Sequence, residues 1–256
     1  MKRIQRSLAA GILAALIGFT YATPADAAIL NSLRGFDHEE EGWSGSVEGS
    51  YAASGGNTDE STFASSGRVQ WRGGRNTYRL MGSGARTTSR GEETAKSVMG
   101  HLRHNYDLTD RWATVAFLQA QHNPFQRLDS RYLAGLGLRF DLIEEGPVLW
   151  SVGAVHMYEN ERIKDEDDGT EVHRLSAYCS AEAELREGVK LDALLFYQPR
   201  WSDFDDWRML GQVELEVELT GVLALFTGYK IEHDATPPAG VEKTDWTTTT
   251  GLRASF

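Results

Sequence analysis

The chain has 256 residues, 26 Lys and Arg against 37 Asp and Glu, and a formal net charge of −11. That acidity argues against a nucleic acid partner, and a single cysteine, Cys179, excludes an internal disulfide and a cysteine-based zinc site. After the N-terminus no run approaches the roughly 18 apolar residues of a membrane helix.

The N-terminus reads as a secretory signal. Lys2, Arg3 and Arg6 precede the apolar stretch 8–21, and Ala25-Asp26-Ala27 is a small-x-small cleavage site. A retained anchor helix is the alternative. Cleavage after residue 27 takes away three of the 26 basic and one of the 37 acidic side chains, leaving a net charge near −13. Residues 28–41 form a periplasmic lead-in, either extended or a short helix.

Period-two alternation begins at Trp43, the pattern of strands whose successive side chains point to opposite faces. Trp43, Val47 and Tyr51 oppose Ser44, Ser46, Glu48 and Ser50. In 61–72, Phe63, Val69 and Trp71 oppose Ser66, Arg68, Gln70 and Arg72. Tyr78 and Leu80 then oppose Arg79, and Val98, Leu102 and Tyr106 oppose His101, Arg103 and Asn105. The phase of Trp112–His122 is not readable, because apolar residues fall on both faces. Tyr132, Leu136, Leu138 and Phe140 oppose Arg131, Arg139 and Asp141. A strand over 148–159 follows, then one over 172–185 with Leu175, Ala177 and Cys179 opposite Arg174, Tyr178, Glu182 and Glu184. Strands over 189–198, 207–219, 222–232 and 244–256 complete the set. Within 207–219, Trp207, Met209, Val213, Leu215 and Val217 oppose Arg208, Leu210, Glu214, Glu216 and Glu218.

A soluble sheet alternates too, with its apolar side on a core. A transmembrane barrel inverts this, apolar side to lipid and polar side to a lumen. Three features favour the barrel. The strands number about twelve, and bacterial barrels are even. The connections after odd strands (54–60, 88–95, 123–130, 160–170, 199–206, 233–243) are longer than those after even strands (73–76, 108–111, 143–147, 186–188, 220–221), as for extracellular loops and periplasmic turns. Aromatics gather at both strand ends, as in the girdles of barrels. The mean hydropathy of −0.41 does not oppose this, since half of every barrel strand is polar. The expected fold is an all-β, antiparallel, up-and-down transmembrane barrel over 42–256, set in the outer membrane of a Gram-negative cell. Phe256 then serves as the terminal insertion signal read by the barrel assembly machinery.

The segments Gly42–Glu48, Ser54–Thr58, Leu128–Gly137, Asp203–Arg208, Pro237–Asp245 and Gly251–Phe256 resemble the YdiY-like salt-induced outer membrane protein family, domain of unknown function 481. The resemblance spans nearly all of 42–256. It implies an outer membrane barrel and carries no established activity, so no functional residue transfers.

Candidate chemistry is sparse. A lipid-modifying enzyme needs a Ser and a His with an orienting group. The local pairs are His122 with Asn123 and His173 with Ser176, and neither sits in a motif of such enzymes. No catalytic residue, cofactor or dedicated metal site is assigned. Asp165–Gly169 is an acidic loop without EF-hand spacing. It reads as solvated, with divalent cations bridging it to lipopolysaccharide as a further option.

The inward charges carry the most information. Early strands supply Arg68, Arg72, Arg79, Arg103, Arg131 and Arg139. Later strands supply Glu182, Glu184, Glu214, Glu216 and Glu218. These predict a positive wall facing a negative one. If the walls stay apart, the barrel is a narrow channel for small polar solutes or ions. If they meet, it is a closed structural or envelope-stress barrel. A lipid-modifying enzyme is the third reading.

Overall fold

The computed structural model describes residues 41–54, 59–143, 148–165 and 168–256. The signal and lead-in segments, most of the 54–60 and 143–147 connections, and Glu166 and Asp167 lie outside them. Twelve antiparallel strands follow one another around a closed barrel. They are β1 (Gly42–Ser54), β2 (Glu60–Gly73), β3 (Asn76–Ser89), β4 (Glu92–Asp107), β5 (Trp112–Asn123), β6 (Leu128–Ile143), β7 (Val148–Ile163), β8 (Thr170–Arg186), β9 (Val189–Arg200), β10 (Asp203–Glu218), β11 (Leu223–Asp234) and β12 (Thr244–Ser255).

Alternation sets the sides. Leu80, Leu118, Leu136 and Val213 point outward and stay exposed, Leu136 at 67%. On the other face Gln70, Arg79, Arg103, Val115 and Leu210 are buried. The apolar residues that a soluble sheet would hide are thus outside, and many polar ones are inside. β5 takes the phase in which Ala113, Val115, Phe117, Gln119 and Gln121 face in. Its ambiguity has a physical reason: this part of the interior is itself apolar.

The strands run further than the alternation suggested. β3 and β4 are joined by Arg90-Gly91 alone, and β9 and β10 by Trp201-Ser202. β7 continues past Glu159 to Ile163, adding Glu161 to the interior. Polar strand tips above an apolar belt look like loop in a sequence. The longest connections, 164–169 and 235–243, still lie at the end opposite the two-residue turns 74–75 and 187–188. Those turns need left-handed backbone, supplied by Gly74 (φ 55°) and Gly188 (φ 72°).

Closure of the barrel is uneven. β1 pairs with β2 along its whole length, Gly42–Ser54. It pairs with β12 only over Ser46–Gly49 against Leu252–Ser255, extended one step by Gly45 and Phe256, which exchange N–H···O bonds of 2.9 and 3.0 Å.

Candidate functional site

The site is the barrel interior, and three kinds of contact fill it. The first is apolar. Val115, Val155, Tyr178, Leu194, Phe196 and Leu210 form one buried cluster with Phe117 against it. Glycines make room for its rings. A Cβ on Gly135 would overlap the Phe117 ring, and one on Gly153 the Tyr178 ring, so each aromatic lies flat over a neighbouring strand's backbone. Tyr178 and Phe196 stand 5.4 Å apart between centroids.

The second is a hydrogen-bonded bar across the barrel. Arg103 on β4 donates from Nη2 to the Tyr178 hydroxyl on β8 at 3.1 Å, and from Nε to Asn105 Oδ1 at 3.1 Å. His101 beside it bonds Gln119 through Nδ1 at 2.6 Å and stacks on Phe117. Arg79 donates from Nε to Gln70 at 2.8 Å.

The third is ionic, in two lattices. Toward the long-connection end, Arg208 on β10 reaches Glu159 (2.8 Å) and Glu161 (3.2 Å) on β7 and Asp234 (2.8 Å) on β11. Arg131 joins Glu161 at 2.5 Å, and Arg174 joins Asp206 at 2.8 Å. Toward the other end, Arg253 on β12 meets Glu48 (2.6 Å), Glu214 (2.9 Å) and Glu216. Buried ions require partners on this scale, because each leaves water at a cost of several kcal/mol.

The arginine and glutamate positions named from the sequence fall as follows. Arg79, Arg103 and Arg139 are buried, Arg139 with Asp141 at 2.7 Å. Arg131 is in the first lattice, and Glu214 and Glu216 are in the second. Arg72 pairs with Asp107 at 3.5 Å and Glu182 with Lys190 at 3.7 Å, both near the short-turn end. Arg68 is half-buried on β2, and Glu184 and Glu218 are exposed. Two opposed walls do not describe this interior. Arg174, Arg208 and Arg253 sit among the late acids, and Glu48 sits on the first strand. The wall expectation omitted these four, although the same parity rule marks them as inward.

His122 and Asn123 lie on opposite faces, His122 bonded to the Asp129 carbonyl and Asn123 to Gln126. His173 is exposed and bonded to His156, while Ser176 is buried with Gln198. Neither pair converges. Among the described residues no group of three or more His, Cys, Asp or Glu is placed to hold a metal.

Two cavities among the described residues bear on the site. One of about 90 Å³ lies at the mouth, floored by Arg131, Glu159, Glu161 and Arg208. It is bridged above by Arg127, which donates to the Ala239 carbonyl at 3.2 Å, and by Gln126 with Asp245 at 3.4 Å. The other, about 360 Å³, is lined by β1–β4 and β10–β12.

Solved structures of similar outline include the NanC porin (12% identity, TM-score 0.48, covering 83% of this chain and 97% of that one). The KdgM porin (9%, 0.49, 83% and 99%) and the translocator domain of the autotransporter NalP from Neisseria meningitidis (10%, 0.49, 83% and 87%) are others. These are likenesses of outline, and no function is taken from them. No curated protein matches the chain. A family model described as "Protein of unknown function, DUF481" matches residues 47–256, and the chain belongs to that family.

Proposed function

We propose that the chain is an outer membrane barrel whose lumen is closed by its own side chains, so that it acts as a sealed envelope component. Membrane embedding is supported by the outward face. Leu80, Leu118, Leu136, Leu195 and Val213 lie exposed between two aromatic rows. Trp43, Trp71, Tyr78, Trp112, Phe140 and Trp150 form one row, and Tyr51, Phe63, Tyr132, Tyr158, Tyr197 and Trp246 form the other. In water such a belt would be an association hazard. In a bilayer it is the surface that the solvent requires.

Closure rests on one observation above the others. The Arg103–Tyr178 hydrogen bond spans the interior, with Arg103 at 2% and Tyr178 at 5% exposure. A bond buried at both ends supports closure of the part of the lumen between β4 and β8. The test is planar-bilayer recording on the purified, refolded full chain. The expected result is no steady conductance. A steady conductance in the wild type would overturn closure and support the second reading, a narrow polar channel. The charged mouth cavity floored by Arg131 and Arg208 favours that second reading.

A further inference from the structure

The seam between the first and last strands is zipped at one end only. Gly45 and Phe256 exchange both backbone bonds, so the residues that bond across this seam are every second one: Val47 with Ala254, then Gly49 with Leu252. The next would be Tyr51 with Thr250 and Ala53 with Thr248. The ladder stops before them. Both strands continue as strand, each held on its far side, β1 by β2 up to Ser54 and β12 by β11 up to Thr244. The backbone N–H and C=O groups of Tyr51, Ala53, Thr248 and Thr250 therefore aim into a gap between intact strands.

The level of this gap is defined by its neighbours. Tyr51, Tyr229 and Trp246 point outward there, 69%, 45% and 46% exposed. Tyr51 and Trp246 belong to the aromatic row at the long-connection end, where a barrel meets lipid headgroups, and Tyr229 lies just below it, in register with Val213. At that depth water and polar headgroups reach the open backbone groups, so a bound ligand must replace those partners with hydrogen bonds of its own.

Behind the gap lies the 360 Å³ cavity, within the lower range of small-molecule sites, about 300–1,000 Å³. Tyr51 and Thr250, at the open seam, line it together with inward-facing Ser50, Ser83, Ser97 and Thr249, so the cavity reaches the two seam strands. Its chemistry is hydroxyl with small residues between. Its acids, Glu48 and Glu214, share the Arg253 guanidinium with Glu216, and its basic lining residue, Lys230, is 2.8 Å from Glu232. A phosphate would meet acids here. A sugar ring would meet hydroxyls and a paired set of backbone donors and acceptors.

We infer that the upper β1–β12 seam is a lateral portal through which the sugar headgroup of a glycosylated lipid enters the cavity from the adjoining leaflet. Its hydroxyls bond the open edges of Tyr51, Ala53, Thr248 and Thr250, while its chains stay outside against Val47 and Leu252. This rests on the membrane-embedded reading above.

The test is amide hydrogen exchange on the full chain in nanodiscs. In phosphatidylcholine alone, the amides of Tyr51, Ala53, Thr248 and Thr250 exchange about a hundredfold faster than those of Leu136 and Leu215. Adding a monoglycosyl diacylglycerol slows the four seam amides by about tenfold or more. Phosphatidylglycerol, or methyl glucoside free in the buffer, does not. Ser83→Phe, which fills the cavity from β3, removes the effect. The proposal is overturned if the seam amides are as protected as the rest in phosphatidylcholine alone, or if the glycosyl lipid changes nothing. It is equally overturned if phosphatidylglycerol or free sugar protects as well, if protection rises with protein concentration alone as for a second copy pairing with the edge, or if Ser83→Phe keeps the effect. Fast exchange at Leu136 and Leu215 would instead overturn the embedded barrel itself.

Discussion

Arg253 and Glu48 face each other across the strand pair that closes the barrel, Nε to Oε1 at 2.6 Å, in register with each other and one step from where that pairing ends. The same guanidinium holds Glu214 and Glu216. The backbone ladder stops partway along the seam, so this one cation carries an unusual share of the closure.

Arg253→Met is therefore expected to be among the most damaging single changes. It leaves three carboxylates facing an apolar side chain. Loss of one partner of a buried ion set costs about 3–5 kcal/mol. The check is the urea midpoint of the barrel refolded into vesicles. A lowered midpoint is expected, partly restored by Arg253→Lys and by adding Glu214→Gln and Glu216→Gln to the methionine variant. An unchanged midpoint would show that the cluster is not what holds the seam.

The apolar block makes a second prediction. Tyr178→Ala removes one end of the Arg103 bar and the ring over Gly153. Combined with Phe196→Ala, it opens the middle of the interior and is expected to turn a silent barrel into a conducting one. The two truncations cost about 3–5 kcal/mol each, so folding is checked first by the gel shift of the unheated barrel. Tyr197→Ala, on the outward face, should leave conductance absent.

Alternation made most of this architecture legible. It assigned strand number, order and facing because each strand touches one apolar and one polar environment. It failed where that contrast fails. β5 has apolar residues on both faces because Val115 and Phe117 pack in the interior, and the tips of β7 and β10 are mostly polar, broken only by Ile163 and Phe204. The charge lattices were less legible. Parity says that Arg208 and Glu159 face inward, but not that β7 and β10 bring them within 2.8 Å, since stagger between distant strands is a property of the closed barrel. Gly135 and Gly137 likewise read as neutral members of a polar face.

Gly137 supplies the third prediction. A Cβ there would fall on the Ala154 carbonyl oxygen and the Val155 Cα, both backbone of β7. Backbone cannot yield as a side chain does, so Gly137→Ala is expected to destabilise by about 1–3 kcal/mol. Gly100→Ala, with nothing within 4 Å of its Cβ, should be neutral or stabilising by up to about 1 kcal/mol. Urea midpoints of the two variants measured side by side decide it, and equal values would refute the packing argument.

The last prediction separates a bilayer from water as the outer solvent. Leu136 is 67% exposed near the middle of β6, with Tyr132 and Phe140 at the aromatic rows on either side. If water bathes it, Leu136→Arg is a surface change of little consequence, within about 0.5 kcal/mol. If hydrocarbon bathes it, the same change costs about 2–4 kcal/mol at the midplane. Moving the arginine to Tyr132, two pairs of residues nearer the rim, should cost less than half as much, because the penalty falls toward the interface. The experiment is reversible urea unfolding from vesicles, comparing both variants with wild type. A depth-dependent penalty identifies lipid as the outer medium. Equal, negligible penalties would mean that the exposed leucines belong to a protein interface or to water, and the reading of the barrel as a membrane protein would fall.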